Sequence, residues 1–373
     1  MRLTREQEEL RSAVRSLLAR HEGADAWRPL TEQIGAAGLA VPEEYGGAGC
    51  GAVDVHVVME ELGRVLSPVP LLGSAVLAAQ AVLATGDEGA CGRLLPRIAD
   101  GSAVACLAWA EEGSCEPAQI RATAARGGDG GWLVHGVKQY VLGGVGADVL
   151  LVAARTDRAV SLFEVAPDDP RVRGETLVTM DRTRPLARLR FEGARGRLIG
   201  RADDGGRALS RALDLARVAL AAEQVGAAQR CLELTVAYAV QRVQFGRPIG
   251  SFQAVKHRLA DAYVLVESAR SAALGAAFAA GAPDFGRYVS TAASSCAEAF
   301  SAVAGEMIQL HGGIGITWEH DAHRYFKRAH GSARLLGTPA RHRDRLAREL
   351  GLAVPTSRPP SPASGPDSRL PSG

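Results

Sequence analysis

The sequence predicts an α+β protein, mainly α-helical, with three folded domains. Three observations predict it: helical periodicity near the N-terminus, strand-like alternation in the middle, and three long alanine-rich segments towards the other end. We therefore expect a helical domain over residues 1–102, a β domain over 103–203 and a helical bundle over 204–352. The Pro/Ser-rich residues 353–373 lack apolar periodicity and are expected to be disordered.

The first zone opens with a helix-start signal. Thr4 and Gln7 have the spacing of a capping box, and Leu10, Val14 and Leu17 follow on one helical face. Two further helices are predicted, in "WRPLTEQIGAAGLA" and "AVDVHVVMEELGRVL".

The middle zone changes period. "GGDGG", residues 127–131, is a turn signal, and in "LARLRFEG" the apolar Leu189 and Phe191 alternate with Arg188 and Arg190. This alternation predicts half-buried strands and hence a small β domain.

The third zone contains three apolar seams at helical spacing. Their members are Ala221, Val225, Ala228, Leu232, Val236 and Val240; Val255, Leu259, Ala262, Val266, Ala269 and Ala273; and Val289, Ala293, Cys296, Phe300, Val303 and Met307. Narrow, alanine-rich seams predict three long, closely packed helices of a bundle.

Composition excludes several classes of protein. The chain has 373 residues, 47% of them hydrophobic, and its net charge of +2 argues against nucleic-acid or membrane partners. The six cysteines form no CxxC pair, which favours a reducing compartment, and the charged N-terminus is unlike a signal peptide, so we expect a cytoplasmic protein. Glu319, His320 and His323 do not match a zinc-helix spacing, so we expect no metal.

The stretch "QRVQFGRPIGSFQ" interrupts the long helices. Glycine and proline end the first helix and leave Arg242 and Gln244 near its end, where an anion could bind. On these residues alone, a plain helix-helix turn with a solvated arginine is the favoured interpretation. A second glycine-rich stretch, "QLHGGIG", follows a helix rather than a strand, so it is not a Rossmann phosphate loop.

The order of domains, together with "RVQFGRPIGSFQAVKHRLAD", "QLHGGIGITWEHDAHRYFKRAH" and "AAGLAVPEEYGGAG", resembles the acyl-CoA dehydrogenase family of FAD flavoproteins. The resemblance covers nearly all of the chain except the tail. It implies a barrel-like β domain, a C-terminal four-helix bundle, and an acyl-CoA bound between them. It also implies an oligomer, because the Arg-x-x-Phe-Gly loop of this family grips the FAD pyrophosphate of a neighbouring subunit.

The resemblance assigns cofactor and substrate residues. The implied FAD contacts are Arg242, Gln244, Phe245, Gln253, Gln309, Gly312, Gly313, Thr338 and Tyr140. Arg217 is the implied substrate contact.

The catalytic residues of the family are missing. The usual glutamate precedes a Gly-Thr pair, here Gly337 and Thr338, or precedes an arginine on the first bundle helix. These two places hold Leu336 and Ala216, which cannot accept a proton, so the catalytic residue is unknown.

Nearby residues do not replace the missing base. Asp214 and Glu223 flank the second site and are interpreted as structural. Leu142 stands where the family has a hydroxyl that donates towards the flavin, and a glutamate introduced at position 336 is expected to face the substrate α-carbon.

These features predict FAD-dependent α,β-dehydrogenation of an acyl-CoA or related acyl thioester by a base-less subunit. Such a subunit would need a homo- or hetero-oligomer, a dimer or tetramer with a related subunit, and an electron acceptor protein. Two alternatives stay open: a flavin-dependent oxygenase, which needs no α-proton base, and a non-catalytic scaffold.

Overall fold

A computed structural model describes residues 2–113, 116–128 and 130–352. Cys115, a small loop filler by its sequence context, and the expected disordered tail, 353–373, lie outside the described residues. The predicted α+β class is confirmed, since helices at both ends of the chain flank a mixed sheet. No described helix contains a segment long and apolar enough to cross a lipid bilayer.

The N-terminal region is helical. Its α-helices are α1 (Arg5–Leu18), α2 (Trp27–Ile34), α3 (Ala52–Arg64), α4 (Ala79–Thr85) and α5 (Glu88–Ala99), with a π-helical turn at Leu72–Ala78. The capping box at Thr4 is confirmed, because its hydroxyl accepts from the Gln7 amide at 3.3 Å. Helix α2 is shorter than predicted because Gly35 adopts φ +70° and ends it.

Seven strands are described in the middle region, and five of them form a closed barrel. They are β1 (Ala105–Ala108), β2 (Thr123–Arg126), β3 (Trp132–Leu142), β4 (Val149–Arg155), β5 (Val160–Val165), β6 (Val172–Thr176) and β7 (Leu186–Ile199). The ring runs β4, β2, β3, β7, β5, and it closes because β5 also pairs with β4. β1 joins β4, and β6 joins β7. The barrel-like domain is thus confirmed, as is the alternation that buries Leu189 and Phe191.

The C-terminal region is a helical bundle. Its helices are α6 (Gly205–Gln241), α7 (Gln253–Phe278), α8 (Phe285–His311), α9 (Ala322–Leu335) and α10 (Pro339–Glu349); the hairpin strands β8 (Val243–Gln244) and β9 (Arg247–Pro248) join α6 to α7. The four helices α6 to α9 form the predicted four-helix bundle, and α10 packs against α8. One expectation about the seams is wrong, since Val236 and Val240 at the end of α6 are exposed. Helix α6 is 37 residues long, and its last turns extend beyond the buried part of the bundle.

Helices α3 and α6 cross with their backbones in contact at two glycines. A Cβ atom added at Gly226 would overlap the carbonyl oxygen of Glu60, and one added at Gly63 would overlap that of Glu223. Glycine is therefore required at both positions, and the crossing brings charged side chains of both helices into the interior.

The buried Glu60 is surrounded by two arginines and a histidine. Arg270 bonds to it, Arg11 lies 3.3 Å away and His56 lies 3.6 Å away. Burial alone would raise the pKa of Glu60, but His56, Arg270 and Arg11 together lower it to about 2.

Glu60→Gln is expected to reduce the free energy of unfolding by roughly 3 kcal/mol at pH 7. Since the folded pKa lies below the unfolded value of 4.5, this stability is present above pH 4.5 and is lost as the pH falls towards 2. Urea unfolding of both proteins between pH 7 and 3 measures it, with the exposed-pair variant Glu9→Gln as the control. A difference that stayed constant below pH 4 would contradict the assignment.

Candidate functional site

A cleft of about 410 Å³ lies between the barrel and the turn from α9 to α10. Tyr140 of β3 and Thr338, which precedes α10, both line it, so the fold brings together two predicted FAD contacts that are far apart in sequence. Met180, Leu186 and Leu335 supply apolar walls. A mostly apolar cavity of this size with a few polar groups is typical of a small-molecule site.

The turn that carries Thr338 depends on a glycine. Gly337 has φ +117°, and a Cβ there would press on the imidazole of His342. The Thr338 hydroxyl accepts from the Arg341 amide at 3.4 Å and caps α10, which leaves its hydrogen available to a ligand in the cleft.

Tyr140 has a strained backbone. Its φ is +56°, and the pairing of β3 with β7 shifts register between Lys138 and Val141. Non-glycine residues in the left-handed region cost on the order of 1 kcal/mol and concentrate at functional sites. The irregularity places Tyr140 on the cleft, half exposed.

A buried ion pair supports the cleft on the barrel side. Lys138 is fully buried; its ammonium donates to Glu111 at 2.8 Å and to the carbonyl of Trp109 at 3.2 Å. Burial lowers the pKa of Lys138 to about 8, while Lys138 outweighs the effect of burial on Glu111 and lowers the pKa of that carboxyl. The burial of Lys138 was not predicted, because a lone lysine in a strand is usually exposed.

Leu336, at one of the two predicted places of the family's base, has apolar surroundings. The Leu336 side chain, 3% exposed, packs in the hydrophobic core, while its neighbours Leu335 and Gly337 line the cleft. Its carbonyl accepts from Arg217 Nε at 3.0 Å, and Ala216 is fully buried. The expectation that a glutamate at 336 would face a substrate stays a prediction, and it requires that side chain to take another direction from the inward-turned Leu336.

Leu336→Glu is accordingly expected to yield no dehydrogenase activity and a less stable chain. It would bury a carboxylate in an apolar core, which costs several kcal/mol unless a cation reaches it. Thermal unfolding and an acyl-CoA assay with an artificial electron acceptor measure the two effects, and Leu335→Glu, on the cleft side, is the control. Unchanged stability together with new activity would show that the side chain reaches the cleft.

Asp214, one possible displaced base, is already paired. It accepts from Arg217 at 2.7 Å and from Arg345 Nη2 at 2.8 Å. Burial opposes ionisation, but Arg345 and Arg217 prevail and lower the pKa of Asp214, so it remains a structural anion. Arg217, the predicted substrate contact, is nearly buried between Asp214 and the Leu336 carbonyl.

Glu223, the other possible base, belongs to a buried charge cluster. Arg184 bonds to it, and Arg328 lies 2.8 Å from it. Arg328 is fully buried and also pairs with Asp181 at 2.9 Å. This cluster (Arg184, Glu223, Arg328 and Asp181) was not found from sequence, since its members come from three distant segments.

Leu142 does not line the cleft as its predicted place beside the flavin implies. It lines a second, smaller cavity of about 90 Å³, here called the inner pocket, together with Met59 and Leu62 of α3 and Leu72 of the π-helical turn. The charged Arg184 and Glu223 also line the inner pocket, so its lining is mixed.

The other predicted FAD contacts lie outside the cleft, on the exposed connection between α6 and α7. Gln244 pairs with Arg247 across the hairpin, and between them Phe245 adopts φ +55° and is 92% exposed. Arg242 and Gln253 are exposed, and the guanidinium of Arg242 has no carboxylate partner in the described part of the chain. These exposed side chains are accessible to a second molecule.

The second half of this surface is the end of α8. The rings of Tyr238 and His311 stack with centroids 4.4 Å apart, which ties the end of α6 to the end of α8. Gln309, Gly312 and Gly313 are exposed beside this contact. A Cβ added at either glycine would meet no heavy atom within 4 Å, so the space along this backbone is open.

Exposed apolar side chains surround these polar groups. Besides Phe245, Ile316 is 74% exposed and Trp318 is 78% exposed, with Lys327 4.3 Å from the indole centroid. Large exposed aromatic and aliphatic groups around a polar centre are typical of a protein interface. We call the predicted FAD contacts on α6, the hairpin, α7 and α8 the clamp surface: Arg242, Gln244, Phe245, Gln253, Gln309, Gly312 and Gly313.

The chain belongs to the acyl-CoA dehydrogenase family. Residues 4–102 match the acyl-CoA dehydrogenase N-terminal domain, and residues 203–351 match the acyl-CoA dehydrogenase C-terminal domain. The family predicted from the sequence is thereby confirmed, and the chain is an oxidoreductase of this family.

Comparison with individual proteins supports the same family. The chain is 42% identical over 360 residues to acyl-CoA dehydrogenase IpdE2 of Mycobacterium tuberculosis (strain ATCC 25618 / H37Rv), covering 92% of this chain and 97% of that protein. It is similar to a solved structure of the ChsE4-ChsE5 complex from Mycobacterium tuberculosis, with 31% identity, TM-score 0.85, and coverage of 95% and 99%. It also resembles the Tcur3481-Tcur3483 steroid ACAD G363A variant, with 34% identity, TM-score 0.83, and coverage of 93% and 98%.

Proposed function

We propose that this chain is the base-less subunit of a hetero-oligomeric acyl-CoA dehydrogenase and supplies its clamp surface to FAD held by a related subunit. One observation carries the proposal. Among the described residues that line the cleft, only Glu111 and Asp181 bear carboxylates, and each is bound to a buried cation, Lys138 or Arg328. Neither is free to accept an α-proton.

The chemistry explains why a partner is needed. Dehydrogenating a thioester between Cα and Cβ requires a base for the α-proton and a hydride acceptor, and FAD supplies the acceptor. This chain retains groups suited to a dinucleotide: the permanently charged Arg242 and the open backbone at Gly312 and Gly313. The partner provides the glutamate, and the electrons then pass to a separate acceptor protein.

The exposed clamp surface supports assembly. An isolated chain would leave Phe245, Ile316 and Trp318 in water, which is unfavourable by roughly 25 cal/mol per Å² of apolar surface. Two similar solved structures are named for two different chains, ChsE4-ChsE5 and Tcur3481-Tcur3483. A pairing of two different chains is also what we propose for this protein.

Co-expression tests the proposal. The visible absorption spectrum and the native mass are measured for the chain alone and for the chain with a glutamate-bearing family member. We expect stoichiometric FAD and acyl-CoA dehydrogenation only in the mixed assembly. A chain that is yellow, active and homo-oligomeric by itself would overturn the proposal.

The two carboxylates of the cleft are each bound to a cation and cannot act as a base, which also agrees with one other candidate. This candidate is a flavin-dependent oxygenase acting on a thioester or a specialised substrate. Oxygen chemistry at reduced flavin needs no α-proton base. Oxygen consumption with incorporation of an oxygen atom into the product would support it, whereas reduction of an artificial electron acceptor by acyl-CoA would support dehydrogenation. A chain that bound no FAD in any assembly would be a scaffold.

A further inference from the structure

A further cavity, of about 570 Å³, lies where the end of α1, the loop after α3, the segment before β7 and the start of α9 meet. None of its lining residues lines the cleft or belongs to the clamp surface. We call it the arginine pocket, because four arginines line it: Arg64, Arg182, Arg230 and Arg324. Neither the missing base nor the predicted FAD contacts account for these four residues.

The two inner arginines of the pocket share their carboxylates with other arginines. Glu233 bonds to Arg64 at 2.7 Å and lies 3.4 Å from Arg230, so one carboxylate serves both. Glu61 lies 3.7 Å from Arg64 but bonds more closely to Arg15, at 2.7 Å. Guanidinium groups that share a carboxylate keep donors for a further anion.

The two outer arginines are less strongly paired still. Arg182 is exposed and pairs with no carboxylate in the described part of the chain. Arg324 pairs with Asp321 at 3.0 Å across one exposed helical turn, a contact that is weak in water. The only other carboxylate among the described lining residues, that of Glu22, is exposed, so four guanidinium groups of the lining face two carboxylates.

The backbone adds to the positive field and holds the pocket in shape. Arg324 and Tyr325 belong to the first turn of α9, a helix of 14 residues whose N-terminal end borders the pocket and favours an anion there. The Tyr325 hydroxyl donates to the Arg64 carbonyl at 2.5 Å, and the buried Arg328 donates to the Leu66 carbonyl at 3.2 Å. These bonds tie the loop after α3 to α9, so the pocket is preformed.

We propose that the arginine pocket binds a small ligand through its phosphate groups, as a second ligand site separate from the cleft. A guanidinium presents a planar fork of donors that matches two phosphate oxygens, and four such groups around one cavity suit a diphosphate. Free pyrophosphate and a nucleoside diphosphate share this chemistry. The inference does not rest on the proposed function, because the pocket has no residue in common with the cleft or the clamp surface.

Isothermal titration of the full chain, in the assembly in which it purifies, measures the binding of pyrophosphate and of ADP. We expect pyrophosphate to bind, and to bind at least tenfold more weakly to the variant Arg182→Ala with Arg324→Ala. Equal affinities for the two ligands would show that the phosphate groups alone are recognised, whereas tenfold tighter binding of ADP would show that the ligand is a nucleotide. Either result supports the site.

Arg190→Ala is the matched control, since Arg190 is an exposed arginine on β7 outside the pocket, and its affinity for pyrophosphate should stay within about twofold of the unaltered chain. The double variant should fold, because both of its arginines are exposed; if it does not, Arg182→Ala alone is tested by the same criterion. Absence of pyrophosphate and ADP binding, or equal binding to the unaltered chain and the double variant, would overturn the site. Failure of the proposed function would instead appear as absence of FAD from every assembly.

Discussion

Gly226→Ala is expected to lower the melting temperature by roughly 6 to 12 °C and to reduce the yield of folded protein. The added Cβ would overlap the carbonyl oxygen of Glu60, which is main-chain and cannot rotate away. Helices α3 and α6 would have to separate, which loosens the cluster at Glu223 and the ion pairs of Glu60. Overpacking of this kind costs about 3 kcal/mol or more, and each kcal/mol shifts the melting temperature by roughly 2 to 4 °C.

Gly305→Ala on α8 is the matched control. A Cβ added there meets no heavy atom within 4 Å, so alanine should stabilise the helix by roughly 0.5 to 1 kcal/mol. Thermal unfolding followed by circular dichroism compares the two variants. If Gly226→Ala melted within two or three degrees of the unaltered chain, the close crossing of α3 and α6 would be refuted.

Arg242→Ala is expected to reduce the affinity of the mixed assembly for FAD by a factor of about ten to a hundred. The variant removes a charge-assisted contact to a phosphate, worth roughly 1.5 to 3 kcal/mol. The fold should not change, because the Arg242 side chain is exposed and the hydrogen bonds of its backbone remain: the amide donates to the Tyr238 carbonyl at 2.8 Å, and the carbonyl accepts from the Ile249 amide at 2.8 Å.

The ratio of flavin to protein absorbance after gel filtration measures this loss, and native mass shows whether the assembly persists. Arg5→Ala is the control, since Arg5 is an exposed arginine whose partner, Glu9, lies on the same helix. Equal FAD content in the Arg242 and Arg5 variants would show that Arg242 does not contribute to FAD binding.

Local signals predicted most of the architecture. The capping box at Thr4, the alternation around Leu189 and the long alanine seams each depend on neighbours within a few residues, and each corresponds to an element of the fold. The exposed end of α6 at Val236 and Val240 was the exception. Periodicity shows which face is apolar but not whether another element covers it.

The charged interior was not predictable in the same way. Arg328 and Glu223 are 105 residues apart, and Arg217 and Leu336 are 119 apart. From the sequence alone, Arg328, Glu223 and Arg217 would be predicted to lie on the surface, because charged side chains are rarely buried without partners. Their partners become visible only when the helices and the barrel are packed together.

The sequence by itself determined the family and the helical and barrel regions, whereas the residues of the clamp surface and the replacement of both usual glutamates by Leu336 and Ala216 stay predictions. The tertiary structure alone decided that Leu336 turns into the core and that Asp214 and Glu223 are held by arginines. The physical reason is the range of the interactions. Backbone conformation and amphipathicity follow from nearby residues, whereas burial, charge pairing and cavity shape arise only where distant segments meet.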